Sequence, residues 1–246
     1  MRDEEFYIGY ADSGPKGVMG FVKLRVLALV AVGLGVATLV MSAQQPFASS
    51  NFEYGVVRTF EGRIGHMPFP ILSVDRPGGA GESHWLLSAF GKRGAEEFTL
   101  PMDGHRVRLE GSLIHRDNAV MVELVPDSIE DLGAETPKEA LVQGGEVTLD
   151  GAIVDSKCFL GMMKPGELKS HRACAALCIR GGVPPVLLVR DDEGLATYYL
   201  LVDADGSAVN DRVLSYVAEP VTVTGQLEQL GDLRILRANP DTYVRR

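Results

Sequence analysis

The chain is short of several things that define common protein classes. Basic residues are not in excess: Lys and Arg number 24 against 33 Asp and Glu, for a formal net charge of −9. Nucleic-acid binding needs a basic face to displace counterions, so this balance argues against it. Aromatic residues are sparse at 7%, with one Trp. Three cysteines in 246 residues are too few for a disulfide-rich scaffold, and the odd number leaves at least one thiol outside any intrachain pairing. The 28 Gly and 13 Pro are not periodic, which excludes a collagen-like repeat. There is no Gly-x-Gly-x-x-Gly fingerprint, no P-loop and no Gly-x-Ser-x-Gly elbow. A Cys-x-x-Cys-His run is also missing, so covalent c-type haem is excluded. The acidic residues are scattered over turn-like segments, and no catalytic carboxylate pair can be nominated. What remains, 46% hydrophobic and 23% charged residues, is an ordinary globular mix for one or two domains.

One long apolar run stands out. Val26 to Ala43 is 18 residues without a charge. At 1.5 Å per residue it covers roughly 27 Å, close to the ~30 Å hydrocarbon core of a bilayer. Lys16, Lys23 and Arg25 precede it, and no Lys or Arg follows until Arg58. The positive-inside rule then keeps a tail, residues 1–21, in the cytoplasm and exports everything after the span at 22–43. Expected localisation is therefore a bacterial inner membrane, crossed once, with the bulk of the chain in the periplasm. A cleaved signal peptide is the competing reading. It is disfavoured by the acidic n-region with Asp3, Glu4, Glu5 and Asp12 and by Met41 near the cleavage position. Phe6, Tyr7 and Tyr10 in the tail suit a membrane interface or a partner subunit.

The rest of the chain carries an internal repeat. Phe60-Glu61-Gly62 and Pro70-Ile71-Leu72 in a first copy correspond to Leu149-Asp150-Gly151 and Pro185-Val186-Leu187 in a second. Trp85 to Gly111 is 26 residues, and so is Tyr199 to Gly225. Within each copy apolar and polar residues alternate, as in Val107, Leu109 and Leu113 against Arg106, Arg108 and Glu110. Period-2 alternation with Gly and Asp turn signals predicts short antiparallel strands. About five strands per copy fit a small closed barrel of the OB type, which also removes exposed sheet edges. The expected fold is thus mainly β. A transmembrane helix precedes two tandem OB-like barrels at 52–127 and 145–240, joined by a linker at 128–144 with a helical turn from Pro137 to Val142.

The copies differ in one place. Gly62 to Pro70 is 8 residues, whereas Gly151 to Pro185 is 34, and all three cysteines lie in the added stretch. This insertion, placed at 155–183, looks like a site grafted onto one of two equivalent scaffolds. Its second half reads as a helix capped by Gly181-Gly182, with His171, Cys174 and Cys178 at i, i+3 and i+7 on one face. Cys158 approaches from the end of the preceding strand. Cys158, His171, Cys174 and Cys178 form a Cys3His set that suits zinc, and with Met162 and Met163 nearby it also suits Cu(I) or an Fe–S cluster. The alternative is a disulfide from Cys158 to Cys174 or Cys178, since an exported segment meets oxidising conditions. Lys157 is read as a solvated lysine, with lowering of the neighbouring thiol's pKa as the other reading. His66 and His84 are read as surface or packing residues that reach the insertion only if the barrels pack together.

The run Asp155-Ser156-Lys157-Cys158-Phe159-Leu160-Gly161, with His171-Arg172, Cys174-Ala175, Cys178 and Gly181-Gly182-Val183-Pro184-Pro185, resembles a motif of uncharacterised bacterial envelope proteins, membrane-anchored or secreted. The resemblance covers about residues 146–190 and implies no activity. Three functional expectations follow. The first is a non-catalytic, membrane-anchored accessory or binding subunit of an envelope complex, such as a respiratory one, with protein partners. The second is a metal-binding or electron-transfer module built on the Cys3His set. The third is a thiol redox enzyme with Cys158 as the reactive group.

Overall fold

The computed structural model describes residues 14–43 and 50–246, so Phe6, Tyr7 and Tyr10 lie outside the described residues. The chain separates into two units, Met1–Pro46 and Phe47–Arg246. Among the described residues of the first, one helix, α1, runs over Lys16–Ala43, 28 residues with none buried. At 1.5 Å per residue it is about 42 Å long, and it is apolar enough to cross a membrane. It starts at Lys16, so it takes in the end of the segment expected to be a loose tail. The Lys and Met residues there are good helix formers, and the apolar stretch supplies the nucleus they extend.

The second unit is mainly β and consists of two closed barrels of five strands each. Along the first copy the elements are β1 (Ser50–Phe52), β2 (Arg58–His66), β3 (Pro70–Asp75), β4 (Glu82–Ala89), β5 (Arg93–Gly94), α2 (Glu96–Thr99), β6 (His105–Arg116), β7 (Ala119–Leu124) and β8 (Glu130–Ala134). Strands β2, β3 and β4 form an antiparallel meander, β6 and β7 a hairpin, and β2 pairs with β6. The parallel pairing of β4 with β7 closes the barrel. The second copy has β9 (Val142–Asp155), α3 (Arg172–Arg180), β10 (Pro185–Arg190), β11 (Ala196–Val202), α4 (Asn210–Val213), β12 (Pro220–Leu230), β13 (Leu233–Arg237) and β14 (Val244–Arg245). It closes in the same way, with β11 parallel to β13. The two closures share one register: Leu86↔Met121 in the first copy is Leu200↔Ile235 in the second, each residue shifted by 114 (86 to 200, 121 to 235).

A glycine keeps each barrel tight at the equivalent point. A Cβ at Gly111 would lie 2.7 Å from the Glu123 carbonyl, and one at Gly225 would lie 2.4 Å from the Arg237 carbonyl. Both positions bring two backbones closer than a side chain allows. Each barrel has its own core. Ile64, Leu72, Leu87, Val107 and Leu109 fill the first, and Ile153, Leu187, Leu201, Val221 and Leu236 the second.

The stretch 128–144 departs from its reading as a linker. β8 pairs with β6, β9 already begins at Val142, and no helix forms between Pro137 and Val142. All five residues of β8 are exposed, so no apolar alternation marks it in the sequence. An ion pair and a side-chain hydrogen bond hold it instead: Arg108 Nη1 lies 2.7 Å from Glu130 Oε2 and His105 Nδ1 lies 2.8 Å from Asp131 Oδ1.

The barrels meet along an apolar seam. A third buried cluster draws Phe69, Ile71, Leu86 and Met121 from the first barrel and Phe159, Leu160, Val186 and Leu233 from the second. Beside it, Asp232 in the β12–β13 turn accepts hydrogen bonds from Arg76 Nη2, Ser83 Oγ and the His84 amide, each at 2.9 Å. The His84 side chain is therefore in the seam, 1% exposed, and its Nδ1 lies 3.3 Å from Asp232 Oδ1. It touches the second barrel at this turn.

Burial works against ionisation of Asp232, but the bonds from His84, Ser83 and Arg76 outweigh it and hold the carboxyl well below the usual carboxylate range. A depressed folded-state pKa stabilises the fold above the unfolded value of about 3.9 and loses that contribution as pH falls toward the lowered one. Asp232→Ala is expected to cost about 1–3 kcal/mol of unfolding free energy at neutral pH, read by denaturant titration of the detergent-solubilised chain. The difference from the parent should vanish in strong acid.

Candidate functional site

The insertion begins where β9 ends. Asp155 Oδ1 accepts the Cys158 amide at 2.8 Å, which turns the chain sharply after the strand. The wide turn over Cys158–Met162 then lies against β1 of the first barrel. A Cβ at Gly161 would sit 2.5 Å from the Asn51 carbonyl. The chain returns through α3, with His171 at its N-cap and Cys174 and Cys178 within it. The expected helical register is present, with His171 at the boundary. The α3 C-terminus meets the first barrel through glycines: the Gly94 amide donates to the Gly181 carbonyl at 2.8 Å, and a Cβ at Gly181 would fall 1.8 Å from the Lys92 carbonyl. Any side chain there would push the two barrels apart.

Lys157 is not the solvated lysine expected from the sequence. It is fully buried, and its ammonium reaches across the seam. Nζ donates to the Ala89 carbonyl at 2.6 Å and the Gly91 carbonyl at 2.8 Å, and it lies 2.5 Å from Glu123 Oε2 in β7. A buried ammonium needs such a set of acceptors, because an unpaired charge in the interior is prohibitively costly. The carbonyls it takes flank Phe90, so Lys157 also fixes the β4–β5 turn that carries Lys92.

The three cysteines are free, with Cys158 and Cys178 buried and Cys174 half-buried. Among the described residues, two groups of ligand atoms each lie within 4.8 Å of one another: Cys158, His171 and Cys174 form one, and Asp155, Cys158 and Cys178 the other. All four residues read from the sequence thus come to one place, but as two triads sharing Cys158, and Asp155 joins them. Two buried atoms at this point lack a hydrogen-bond partner, His171 Nε2 and Asp155 Oδ2. They face each other at 3.3 Å.

Charge in the cluster is uneven. The Cys158 thiol is pushed far up by its hydrogen bond to Cys178, by burial and by the nearby Asp155. Cys178 is held down by that same hydrogen bond, against burial and with help from Lys92 and Lys157. Cys158 therefore keeps the proton and Cys178 is the better thiolate. Lys92 Nζ lies 2.6 Å from Cys174 Sγ and 3.9 Å from Cys178 Sγ. Its ammonium is favoured by the Cys174 contact, against burial. Over the sulfurs opens a pocket of about 270 Å³, walled by Phe52, Tyr54, Phe90, Met162 and Met163.

Sequence reading missed Asp155, Lys92 and Glu123 as parts of the site. Asp155 had a signal, since a carboxylate two residues before a Lys-Cys pair at a strand end is placed to cap the turn. Lys92 and Glu123 lie in the first copy and carried none.

Lys157→Met is expected to destabilise the chain by about 3–5 kcal/mol, because it leaves the Glu123 charge without a partner. Adding Glu123→Gln should recover part of that loss, measured by denaturant titration of the two variants side by side.

No family model, curated protein or solved structure matches the chain.

Proposed function

We propose that the chain is a membrane-tethered module that binds one thiophilic metal ion, Zn²⁺ or Cu⁺, at the seam between its barrels. One observation carries the reading: free cysteine sulfurs converge with His171 and with Asp155 in two groups sharing Cys158, each within 4.8 Å, at a buried point where His171 Nε2 and Asp155 Oδ2 face each other at 3.3 Å and neither makes a hydrogen bond. Buried polar atoms are nearly always satisfied, and each exception asks for an explanation. A cation satisfies these donors together. Cys158, Cys174 and His171 supply two sulfurs and a nitrogen, and Cys178 or Asp155 completes a four-coordinate set of the kind zinc takes. Thiolates with two methionines at the pocket wall suit Cu⁺ equally. Asp155 then has a dual role, shaping the turn through one oxygen and facing the imidazole with the other.

α1 serves as the anchor in this reading. Lys16, Lys23 and Arg25 mark its cytoplasmic end, which leaves the barrels on the periplasmic side of a bacterial inner membrane. A role as an accessory subunit is favoured by a separate feature. The pocket mouth exposes Tyr54 and Phe90, 79% and 72% accessible, and isolated aromatics of this kind serve as anchors for a protein partner.

Elemental analysis of the full chain, purified reduced in detergent without chelator, tests the metal reading. The expected result is about one Zn or Cu per chain, lost in Cys158→Ser and retained in Tyr54→Ser. A metal-free parent with three titratable thiols overturns it.

A further inference from the structure

The hydrogen bond from Lys92 to Cys174 is shorter than a nitrogen donor and a sulfur acceptor ordinarily make. N–H···O bonds run from 2.7 to 3.2 Å, and sulfur, being larger than oxygen, keeps a donor farther away. Here Nζ and Sγ are 2.6 Å apart. That separation matches the span of an N–O and an O–S bond meeting at a bent oxygen. The two atoms are held together from both sides. Lys157 grips the carbonyls of Ala89 and Gly91, which fixes the turn bearing Lys92. Gly181 lets the Lys92 backbone rest against the end of α3, and from there the Lys92 side chain reaches back to Cys174. Cys174 is half-buried, and the pocket above gives a small oxidant a path to it.

We propose that Lys92 and Cys174 form a redox-controlled covalent bridge, Nζ–O–Sγ, that ties the first barrel to the second. The Sγ–H bond and one Nζ–H bond of the neutral amine break, and Nζ–O and O–Sγ bonds form. Dioxygen is the oxidant: one oxygen atom enters the bridge and the other leaves as water with the two hydrogens. Nitrogen and sulfur each lose two electrons, which matches the four that dioxygen takes up. The extra proton of the ammonium goes to solvent. Four thiols of an added reductant reverse the step: the O–S and N–O bonds break, the Lys92 amine and the Cys174 thiol are restored, the bridging oxygen leaves as water, and the reductant becomes two disulfides. The bridge spans residues 92 and 174, so it closes a loop across the seam and constrains the unfolded chain as a disulfide does. It also occupies Cys174. This last consequence rests on the metal reading above: bridging removes one sulfur from the ligand set, so oxidation releases the ion.

The test is tandem mass spectrometry of the full detergent-solubilised chain, stripped of metal, divided into air- or peroxide-treated and thiol-reduced samples, and digested with trypsin. The oxidised sample should contain the peptide Ala173–Arg180 joined to the peptide carrying Lys92, with one oxygen gained and two hydrogens lost. Reduction should abolish it, as should Lys92→Arg and Cys174→Ser. Two results overturn the proposal: a linkage between two cysteines with hydrogens lost and no oxygen gained, or oxidation of Cys174 to a sulfinate with Lys92 unmodified. Metal content of the reduced parent is a separate readout. A bridge without metal rejects only the metal reading, and metal without a bridge rejects only the bridge.

Discussion

A buried ammonium organises this molecule. Lys157 leaves the second barrel at the end of β9 and places its charge among two carbonyls and a carboxylate of the first. Pairing of that kind tolerates little movement, since pulling the partners apart strands charge in a low-dielectric interior. Everything at the thiol cluster follows from it. The residue after Lys157 is Cys158, and the carbonyls it holds belong to the turn that presents Lys92. The sulfurs converge because one charge pair sets both the position of the insertion and the loop opposite it.

Duplication supplies the frame. Two barrels with the same closure register give two equivalent surfaces, and only the second carries an added segment between its first two strands. The insertion does not stand away from the barrels. Phe159 and Leu160 join the apolar cluster that glues them together, and Arg116 of the first barrel stacks on the Phe159 ring at 4.0 Å. The segment that brings the chemistry is thus also the segment that mates the two domains. Site and interface form as one unit, and whatever loosens the seam loosens the sulfurs.

Much of this was legible in the sequence. The 26-residue spacing shared by Trp85–Gly111 and Tyr199–Gly225 foretold twin barrels, because strand register and barrel closure leave a rigid imprint on spacing. The His171, Cys174 and Cys178 register foretold a common helix face. What escaped depends on contacts between distant residues. Lys157 looks like any surface lysine until β7 brings Glu123 to it. Lys92 carries no mark of its role, since its partner lies 82 positions away. β8 went unseen because its cohesion comes from polar side chains on exposed positions, which period-2 hydrophobicity does not register. Local patterns gave the elements, while the electrostatics of the seam needed the fold.

The direct measurement is the relative alkylation rate of the three thiols in the native, reduced, metal-free full chain. If the Lys157 charge pair seals the seam over the cluster, Cys174 labels first, and Cys158, protonated and buried, labels only as fast as the whole chain unfolds. Equal, rapid labelling of Cys158 and Cys174 under native conditions would mean that the seam is open and the cluster is not held as described.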